Sequence, residues 1–238
     1  MRFLDLTLAT VAANLALDEA LLLEAEAGRG GEVLRVWEWR EPAVVLGAAC
    51  RLAEEVDEDA CRADGVPILR RASGGGTVLL GAGCLCFSLV LAYDRDPALR
   101  EIPSSYGYIL DRIRSALVGL LPDIELAGIS DLAAGGRKFS GNAQQRKRGH
   151  LLHHGTLLYG FDLALVGRYL RMPERQPAYR AGRGHAAFLT NLPADAAELK
   201  HRLVTVWGAN VVSKDWPEAA IQDLVAKKYV QAAWIRRR

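Results

Sequence analysis

Residues 68–80, ILRRASGGGTVLL, place an arginine pair and three consecutive glycines between two short apolar runs. The runs predict two strands joined by a glycine loop. Three glycines in succession cost conformational entropy that an ordinary hairpin does not require, so they are expected where the backbone passes close to a ligand. Arg70 and Arg71 add charge and forked donors suited to phosphate or carboxylate. The spacing alone is equally consistent with a glycine-rich hairpin that carries surface arginines.

The glycine loop matches neither of two common nucleotide-binding motifs. It is not followed by Gly-Lys-Ser or Gly-Lys-Thr, so it is not a Walker loop. A strand, rather than a helix, is predicted after it, which argues against a dinucleotide-binding fingerprint.

Outward from the loop, predicted strands follow one another as hairpins more often than they alternate with helices. Strands are predicted at 32–39, 43–47, 84–92, 124–126, 131–134, 138–143 and 155–159. Helices are predicted at 11–27, 57–63, 104–121, 163–170, 194–208 and 217–229. In the first helix, Asp18 and Glu19 are expected to turn away from the apolar face. This arrangement predicts an α+β fold with a largely antiparallel sheet and helices packed on it.

The composition is typical of a globular protein and disfavours several functional classes. The 238 residues include 30 Lys+Arg and 28 Asp+Glu, and the net charge of +2 is too small to indicate nucleic-acid binding. No window of about twenty residues is free of charge, so no membrane span is expected. The length of 238 residues fits one large domain, or one domain with a small appendage.

The N-terminus and the cysteines indicate a cytoplasmic protein. Acidic residues interrupt the apolar N-terminus, which is therefore interpreted as an amphipathic helix and not as a signal peptide. With no export signal, the cysteines are expected to be thiols in a reducing compartment. They are Cys50, Cys61, Cys84 and Cys86.

A second glycine-rich segment, GGRKFSGNAQ at 135–144, contains Lys138 between small residues. Such a position allows an ammonium group to point into a cavity and to stabilise negative charge on a reacting oxygen. Most isolated lysines are simply solvated, and the flanking glycines are what favour the functional interpretation.

A third segment, LHHGTLL at 152–158, raises the question of a zinc site. His150 and His154 have helical spacing, but no glutamate lies between them and the following residues are strand-like. Cys84 and Cys86 lack a matching partner pair. Metal binding by these side chains is not favoured, and a structural role next to Gly155 is the preferred interpretation of His154.

Together the three segments resemble the lipoate–protein ligase family. The matching stretches are RRASGGGTV at 70–78, GRKFSGNAQ at 136–144 and HHGTLL at 153–158, and supporting matches cover nearly the whole chain in the expected order. The resemblance implies the fold shared with biotin ligases and class II aminoacyl-tRNA synthetases, a mixed, mostly antiparallel sheet flanked by helices. It also implies a short form without the C-terminal accessory domain of longer ligases.

The resemblance implies a two-step reaction. Lipoate and ATP, with Mg²⁺, form lipoyl-AMP and pyrophosphate. A lysine of a lipoyl domain or of an H-protein-like acceptor then attacks the mixed anhydride, and AMP leaves. Lys138 would contact both the acyl carbonyl and the α-phosphate, and Asp131, within Ser-Asp-Leu, would bind the magnesium ion. The other residues expected to hold nucleotide or acyl group are Arg70, Arg71, Ser73, Gly74, Gly75, Gly76, Thr77, Val78, Leu79, His154 and Gly155. The residues expected to form an apolar slot for lipoate are Trp37, Val44, Leu46 and Leu158.

Departures from the family pattern leave alternatives open. Leu80 and Gly81 replace a frequent His-Asp pair, which puts in question whether the chain acts alone or with an accessory subunit. An octanoyltransferase of the same superfamily would need a cysteine nucleophile either just before the lysine motif or after the His-Gly segment, but no cysteine follows Cys86. Cys84 and Cys86 lie in an apolar strand and are interpreted as small core residues. A third interpretation is a module that binds lipoate or a lipoyl domain without catalysis.

The basic cluster 146–148 is either a steering patch for an acidic acceptor or a solvated loop.

Overall fold

The computed structural model describes residues 1–238, and a mixed eight-stranded sheet forms its centre. The strands are β1 (Arg2–Asp5), β2 (Val33–Glu38), β3 (Ala43–Leu46), β4 (Ile68–Arg70), β5 (Val78–Leu80), β6 (Cys84–Ala92), β7 (Ile124–Ala127), β8 (Asp131–Ala134), β9 (Arg137–Arg146), β10 (His150–Leu158) and β11 (Val211–Val212). The large sheet has the order β11-β1-β2-β6-β10-β9-β8-β7. Only the pairs that include β1 are parallel in it. A smaller sheet, β4-β3-β5, carries the glycine loop between β4 and β5.

Helices cover both faces of the large sheet. They are α1 (Val11–Glu26), α2 (Leu52–Glu55), α3 (Glu58–Ala63), α4 (Ile102–Ala116), α5 (Ala164–Tyr169), α6 (His185–Phe188), α7 (Ala196–Trp207), α8 (Glu218–Leu224) and α9 (Ala232–Ile235). None of them has the length and apolar character needed to cross a membrane. The α+β class predicted from the sequence, with its mostly antiparallel sheet, is confirmed.

The alternation of side chains along β6 separates two apolar layers. Leu85 and Phe87 pack with α4 and α7 on one face, whereas Cys84 and Cys86 pack with α1 and the small sheet on the other. Successive side chains of a strand point to opposite faces, so a continuous apolar run is expected for a strand covered on both sides. The second layer also contains the cavity described below.

Two strands are longer than the sequence predicts. β9 covers 137–146 instead of 138–143, and β10 covers 150–158 instead of 155–159. β10 pairs along its whole length with β6, and its first half contains His153 and His154. These polar residues interrupt the apolar pattern, but their ring nitrogens have partners inside the fold, so the strand can continue through them.

The prediction that Asp18 and Glu19 face away from the core is wrong. They are only 2% and 6% exposed. Asp18 is paired with the fully buried Arg35 of β2 at 2.5 Å, and Glu19 accepts hydrogen bonds from Lys228 and Tyr229, each at 2.8 Å. Buried carboxylates are tolerated because cationic or hydroxyl partners replace their water. Through these contacts α1 fixes both β2 and the C-terminal segment.

Candidate active site

A cavity of about 700 Å³ brings together the three segments that the sequence singles out. Its wall includes residues 75–80 of the glycine loop and β5, residues 138–143 of β9, and residues 154–156 of β10. The volume lies within the range of about 300–1,000 Å³ that small-molecule sites occupy. Apolar side chains from α1, β2 and β10 also line it, among them Leu15, Trp37 and Leu158. The cavity therefore offers both an apolar surface and a polar one.

The glycine loop is folded around the side chain of Arg71. The guanidinium donates to the carbonyl oxygens of Gly74 and Gly76 at 2.6 and 2.8 Å, to that of Val45 at 3.2 Å, and to Ser73 Oγ at 3.0 Å. Arg71 is 7% exposed and has no carboxylate within ion-pair distance. Burial lowers the pKa of Arg71 to about 10, so it remains a cation at neutral pH. The loop thus carries a positive charge at its centre, which favours an anion beside it.

Only part of the triple glycine is required by backbone geometry. Gly75 has φ 82°, a conformation that favours glycine, and a Cβ on the neighbouring Gly47 would lie 1.9 Å from the Gly75 oxygen. Gly74 and Gly76 have no heavy atom near the position of a Cβ and no positive φ. Gly75 and Gly76 line the cavity. Two chain segments therefore touch at Gly47 and Gly75, and this contact sets the path of the loop.

We expect Gly47→Ala to lower the free energy of unfolding by about 1–3 kcal/mol, because the added methyl group pushes the Gly75 carbonyl away. Gly74→Ala adds the same methyl group without a clash and is the matched control for stability. Urea unfolding of both variants measures the difference. Equal midpoints for the two would contradict the close packing of residues 47 and 75.

Glu55 is a cavity residue that the sequence reasoning missed. Its Oε2 accepts hydrogen bonds from the backbone N–H of Thr77 at 3.1 Å and from the Thr77 hydroxyl at 2.6 Å. The end of the glycine loop is therefore anchored to α2. Thr77, predicted to contact the nucleotide, lines the cavity with its hydroxyl directed at Glu55.

Lys138 and Asp131 form an ion pair on the cavity wall. Lys138 Nζ lies 2.8 Å from Asp131 Oδ1, and the Tyr179 hydroxyl donates to Asp131 Oδ2 at 2.8 Å. A bulge in β8 at Leu132/Ala133 shifts the register of β8 against β9. The small Gly141 leaves room for the lysine, since a Cβ there would lie 2.8 Å from Nζ. The side chains of Lys138 and Asp131 are 25% and 11% exposed, so an ammonium group reaches the cavity while partly shielded from water.

The donor set around Asp131 does not form a resident metal centre. The structure contains no group of three or more histidine, cysteine, aspartate or glutamate side chains able to hold a metal ion. Both oxygens of Asp131 already have partners. Mg²⁺, however, commonly binds through one or two carboxylates together with substrate phosphates and water. Asp131 fits that kind of site, in which a nucleotide would supply the remaining ligands.

His154 connects the glycine loop to α1. Its Nε2 lies 2.5 Å from Ser73 Oγ, and its Nδ1 lies 3.5 Å from Asp18 Oδ2. With the proton on Nδ1, the imidazole donates to the Asp18 carboxylate and accepts from the Ser73 hydroxyl, which in turn accepts from Arg71. Ser73 is 2% exposed and does not line the cavity, so this Ser-His-Asp series cannot present a nucleophile to a substrate. It holds the loop in place.

His153 is a core residue. It is fully buried, stacks on Phe87, and has Asn142 and Gln144 as partners of its ring nitrogens. Burial lowers the pKa of His153 to about 3, so the imidazole is neutral across the physiological range. It does not take part in the site.

Arg70, expected to contact substrate, points away from the cavity. Its guanidinium donates to the carbonyl oxygens of Gly47 and Cys50, each at 2.7 Å, and to that of Ile235 at 2.9 Å. Arg70 and Arg71 are consecutive residues at the end of a strand, so their side chains diverge. The substrate-binding prediction for Arg70 is therefore corrected: this side chain ties the segment beneath the glycine loop to the C-terminal helix α9.

Of the remaining residues predicted to contact the substrates, some line the cavity and others lie behind its wall. The wall residues among them are Gly75, Gly76, Thr77, Val78, Leu79, Trp37, Leu158, His154 and Gly155. Ser73, Gly74, Val44 and Leu46 do not line the cavity. Val44 and Leu46 belong to the apolar core behind it, which corrects their assignment to a lipoate slot.

The pKa values of Cys50, Cys61 and Cys86 are all raised, so none of these three is an activated thiolate. All four are free and buried. Cys86 reaches the cavity wall, but its neighbour Cys84 and its burial raise the pKa of the Cys86 thiol well above the ordinary value. Burial also raises the pKa of Cys50, whose Sγ contacts the Gly75 oxygen at 3.3 Å. A nucleophilic cysteine normally requires a lowered pKa.

The segment 171–188 covers part of the cavity and was not identified from the sequence. Tyr179, Arg180, His185 and Phe188 lie in it, and the last three of them line the cavity. The segment lacks periodicity and contains only short helical turns, so patterns of apolar residues do not reveal it. Its available signal is the clustering of arginines between prolines and glycines.

Comparisons with known proteins agree with this geometry. Residues 10–205 match the family model described as the lipoyl protein ligase A/B catalytic domain. An octanoyltransferase LipM of Symbiobacterium thermophilum is 32% identical over 189 residues, which cover 70% of this chain and 68% of that protein. A protein of Aeropyrum pernix named as a lipoate-protein ligase A is 28% identical over 227 residues, covering 94% and 82% of the two chains. The crystal structure of a lipoate-protein ligase A bound with ATP has a TM-score of 0.82 and 25% identity, covering 99% and 98%. The chain belongs to the lipoyl protein ligase A/B catalytic-domain family.

Proposed function

We propose that this protein is an ATP-dependent lipoate–protein ligase, which joins lipoate to a lysine of a lipoyl domain or of an H-protein-like acceptor. The observation that carries the proposal is the Lys138–Asp131 pair on a cavity wall shared with Gly75 and Gly76. Such a wall suits the reaction of a carboxylate with a phosphate. The raised pKa of Cys86, the cysteine on the cavity wall, supports the ligase over a covalent cysteine mechanism.

In the proposed mechanism the apolar wall holds the acyl chain and the Lys138 ammonium lies beside the reacting oxygens. Attack of the lipoate carboxylate on the α-phosphorus of ATP forms lipoyl-AMP and breaks the bond to pyrophosphate, which leaves. The attack brings negative charge together, and a fixed cation stabilises this transition state more than the separated ground state. The acceptor lysine then attacks the acyl carbonyl, loses a proton, and AMP leaves. Asp131 keeps the ammonium oriented through its 2.8 Å contact. A magnesium ion, if it enters with the nucleotide, would be held by Asp131 and the phosphates and would offset phosphate charge.

Octanoyl transfer from acyl carrier protein is the second candidate. It is favoured by the similarity to an octanoyltransferase and by the presence of Cys86 on the cavity wall. The ionisation of Cys86 argues against this candidate. The neighbouring Cys84 and burial raise the pKa of the Cys86 thiol, which therefore stays protonated at neutral pH.

Lipoate-dependent exchange of pyrophosphate into ATP separates the two candidates. We expect exchange in the presence of lipoate, ATP and Mg²⁺, and no covalently acylated cysteine after incubation with octanoyl carrier protein, as measured by mass spectrometry. An octanoylated Cys86 without pyrophosphate exchange would instead establish the transferase. Lipoate binding with neither reaction would indicate a binding module.

We further propose that the acceptor docks beside the cavity and that a separate accessory subunit completes the ligase. The departure from the family pattern at Leu80 and Gly81, where a frequent His-Asp pair is replaced, is the ground for this proposal. Adding the lipoyl domain alone to the exchange assay, and then measuring its mass, tests whether this chain completes acyl transfer without a second subunit. An unmodified acceptor in an assay with active exchange is the result expected if a subunit is required.

A further inference from the structure

The Glu55 carboxylate lines the cavity and has only uncharged hydrogen-bond donors as partners. Its Oε2 accepts from the Thr77 N–H at 3.1 Å and from the Thr77 hydroxyl at 2.6 Å. Its Oε1 accepts no hydrogen bond from a nitrogen or hydroxyl of the protein and is not enclosed by protein atoms. An anionic oxygen is therefore available on the wall to a donor that enters the cavity.

The other two acidic side chains of the cavity wall are already paired with cations. Asp131 contacts Lys138 Nζ at 2.8 Å, and Asp18 contacts Arg35 at 2.5 Å. Five lysine and arginine side chains also line the wall, namely Arg71, Lys138, Arg171, Arg175 and Arg180. A cationic group that enters this cavity is repelled by these side chains, and Glu55 is the anionic side chain left to attract it.

Contacts on two sides hold Glu55 next to the glycine loop. Its carboxylate is held by Thr77, the residue after the three glycines, and its backbone oxygen accepts from the Arg171 N–H at 3.0 Å. Cys50 provides a second indication of its position. The Cys50 Sγ contacts the Gly75 oxygen at 3.3 Å, and burial together with Glu55 raises the pKa of this thiol. The negative charge of Glu55 therefore lies beside the loop at which the acyl group is proposed to react.

We propose that Glu55 binds the ε-amino group of the acceptor lysine and takes a proton from its nitrogen as the amide forms. This inference rests on the proposed function, in which that lysine attacks lipoyl-AMP. The lysine enters as an ammonium and loses one proton to solvent before it attacks. Its nitrogen then forms a bond to the acyl carbon, and the bond from that carbon to the AMP oxygen breaks. Glu55 stabilises the positive charge that develops on the nitrogen, takes the second proton and passes it to water.

Separate assays of the two half-reactions test this role of Glu55 on the full chain. Pyrophosphate exchange measures adenylate formation, and transfer from added lipoyl-AMP to a lipoyl domain measures the second step. For Glu55→Gln we expect kcat/KM for the acceptor to fall about tenfold to a hundredfold, as for loss of a charged hydrogen bond. Exchange should fall by no more than a few-fold, because the glutamine still offers an oxygen to Thr77.

Glu54→Gln is the matched control for Glu55→Gln. Glu54 is the preceding residue, lies outside the cavity and pairs with the exposed Arg51. It should transfer at the wild-type rate. Unchanged transfer by Glu55→Gln would overturn the proposal. Equal losses in both half-reactions would also overturn it, since they indicate a disturbed glycine loop.

Two further arms keep the test decisive. If the wild type leaves the lipoyl domain unmodified, N-acetyl-lysine amide replaces it as an amine that needs no docking surface, and the same comparison is made. A wild type that acylates neither amine overturns the proposal. If Glu55→Gln does not fold, Glu55→Asp decides, because it withdraws the charge by one methylene group, and wild-type transfer by that variant contradicts the assignment.

Failure of this inference differs from failure of the proposed function. Exchange by the wild type, together with unchanged acceptor transfer by Glu55→Gln, removes only the role of Glu55. The wild type could instead show no exchange and transfer octanoate from octanoyl carrier protein to the acceptor lysine. If Glu55→Gln slows that transfer, Glu55 keeps its role and the ATP-dependent reaction is removed.

Discussion

Replacement of Lys138 by alanine is expected to lower the rate of lipoate-dependent pyrophosphate exchange about a hundredfold to a thousandfold, the range for loss of one transition-state charge contact. The ammonium lies on the cavity wall 2.8 Å from Asp131, and no other lysine lines the cavity. The fold should survive, because the Asp131 carboxylate keeps its hydrogen bond from Tyr179 and borders the cavity. Steady-state exchange rates and thermal unfolding of wild type and variant give the comparison.

Lys147→Ala is the matched control for Lys138→Ala. Lys147 is an exposed lysine in the turn after β9, outside the cavity. It should leave the exchange rate unchanged. Exchange by Lys138→Ala within a few-fold of that control would remove Lys138 from the chemistry, whatever the structural environment of the residue.

The second large effect concerns the Asp18–Arg35 pair. Asp18→Asn should lower the free energy of unfolding by about 3–5 kcal/mol, since it leaves the fully buried Arg35 without its counter-ion. Denaturant unfolding measures this loss. Asp59→Asn, which removes an exposed partner of Arg62, is the control and should change the midpoint little. Similar midpoints for the two variants would show that the buried pair contributes no more than a surface pair.

The pH dependence of the Asp18 effect follows from its ionisation. Burial opposes ionisation, but the charge of Arg35 and a hydrogen bond from His154 outweigh it, and the pKa of Asp18 is held below its ordinary value. A carboxyl group with a lowered pKa in the folded state stabilises at neutral pH and loses this contribution as the pH falls. The difference between wild type and Asp18→Asn should therefore be full at neutral pH and shrink on acidification.

Local sequence patterns were sufficient for the strand–loop–strand unit and for the fold class. The glycines and the adjacent apolar runs determine backbone conformation over only a few residues. The two strands and the loop between them could therefore be predicted from residues 68–80 alone. The buried position of Asp18 depends on Arg35, which follows it by 17 residues and joins it only through packing of α1 on the sheet. A prediction from helical periodicity places every carboxylate on the solvent-facing side, so it placed Asp18 there wrongly.

Two features of the site could not be predicted from the sequence. One is the divergence of the Arg70 and Arg71 side chains, and the other is the position of the segment 171–188 over the cavity. Alternation along a strand implies that two consecutive side chains separate, but not which one enters the loop. The carbonyl oxygens that bind Arg70 come from residues as distant as Ile235. Arg180 belongs to a stretch without periodicity, and its buried position on the cavity wall depends on packing that no local pattern encodes.

The most direct test of the central claim is a crystal structure of the protein bound to a stable lipoyl-adenylate analogue with a sulfamoyl linkage. We expect Lys138 Nζ to lie within hydrogen-bond distance of oxygens on both sides of that linkage, with the amides of Gly75 and Gly76 facing the same group. An analogue bound elsewhere, or Lys138 turned to bulk water with its Nζ remote from the linkage, would contradict the account.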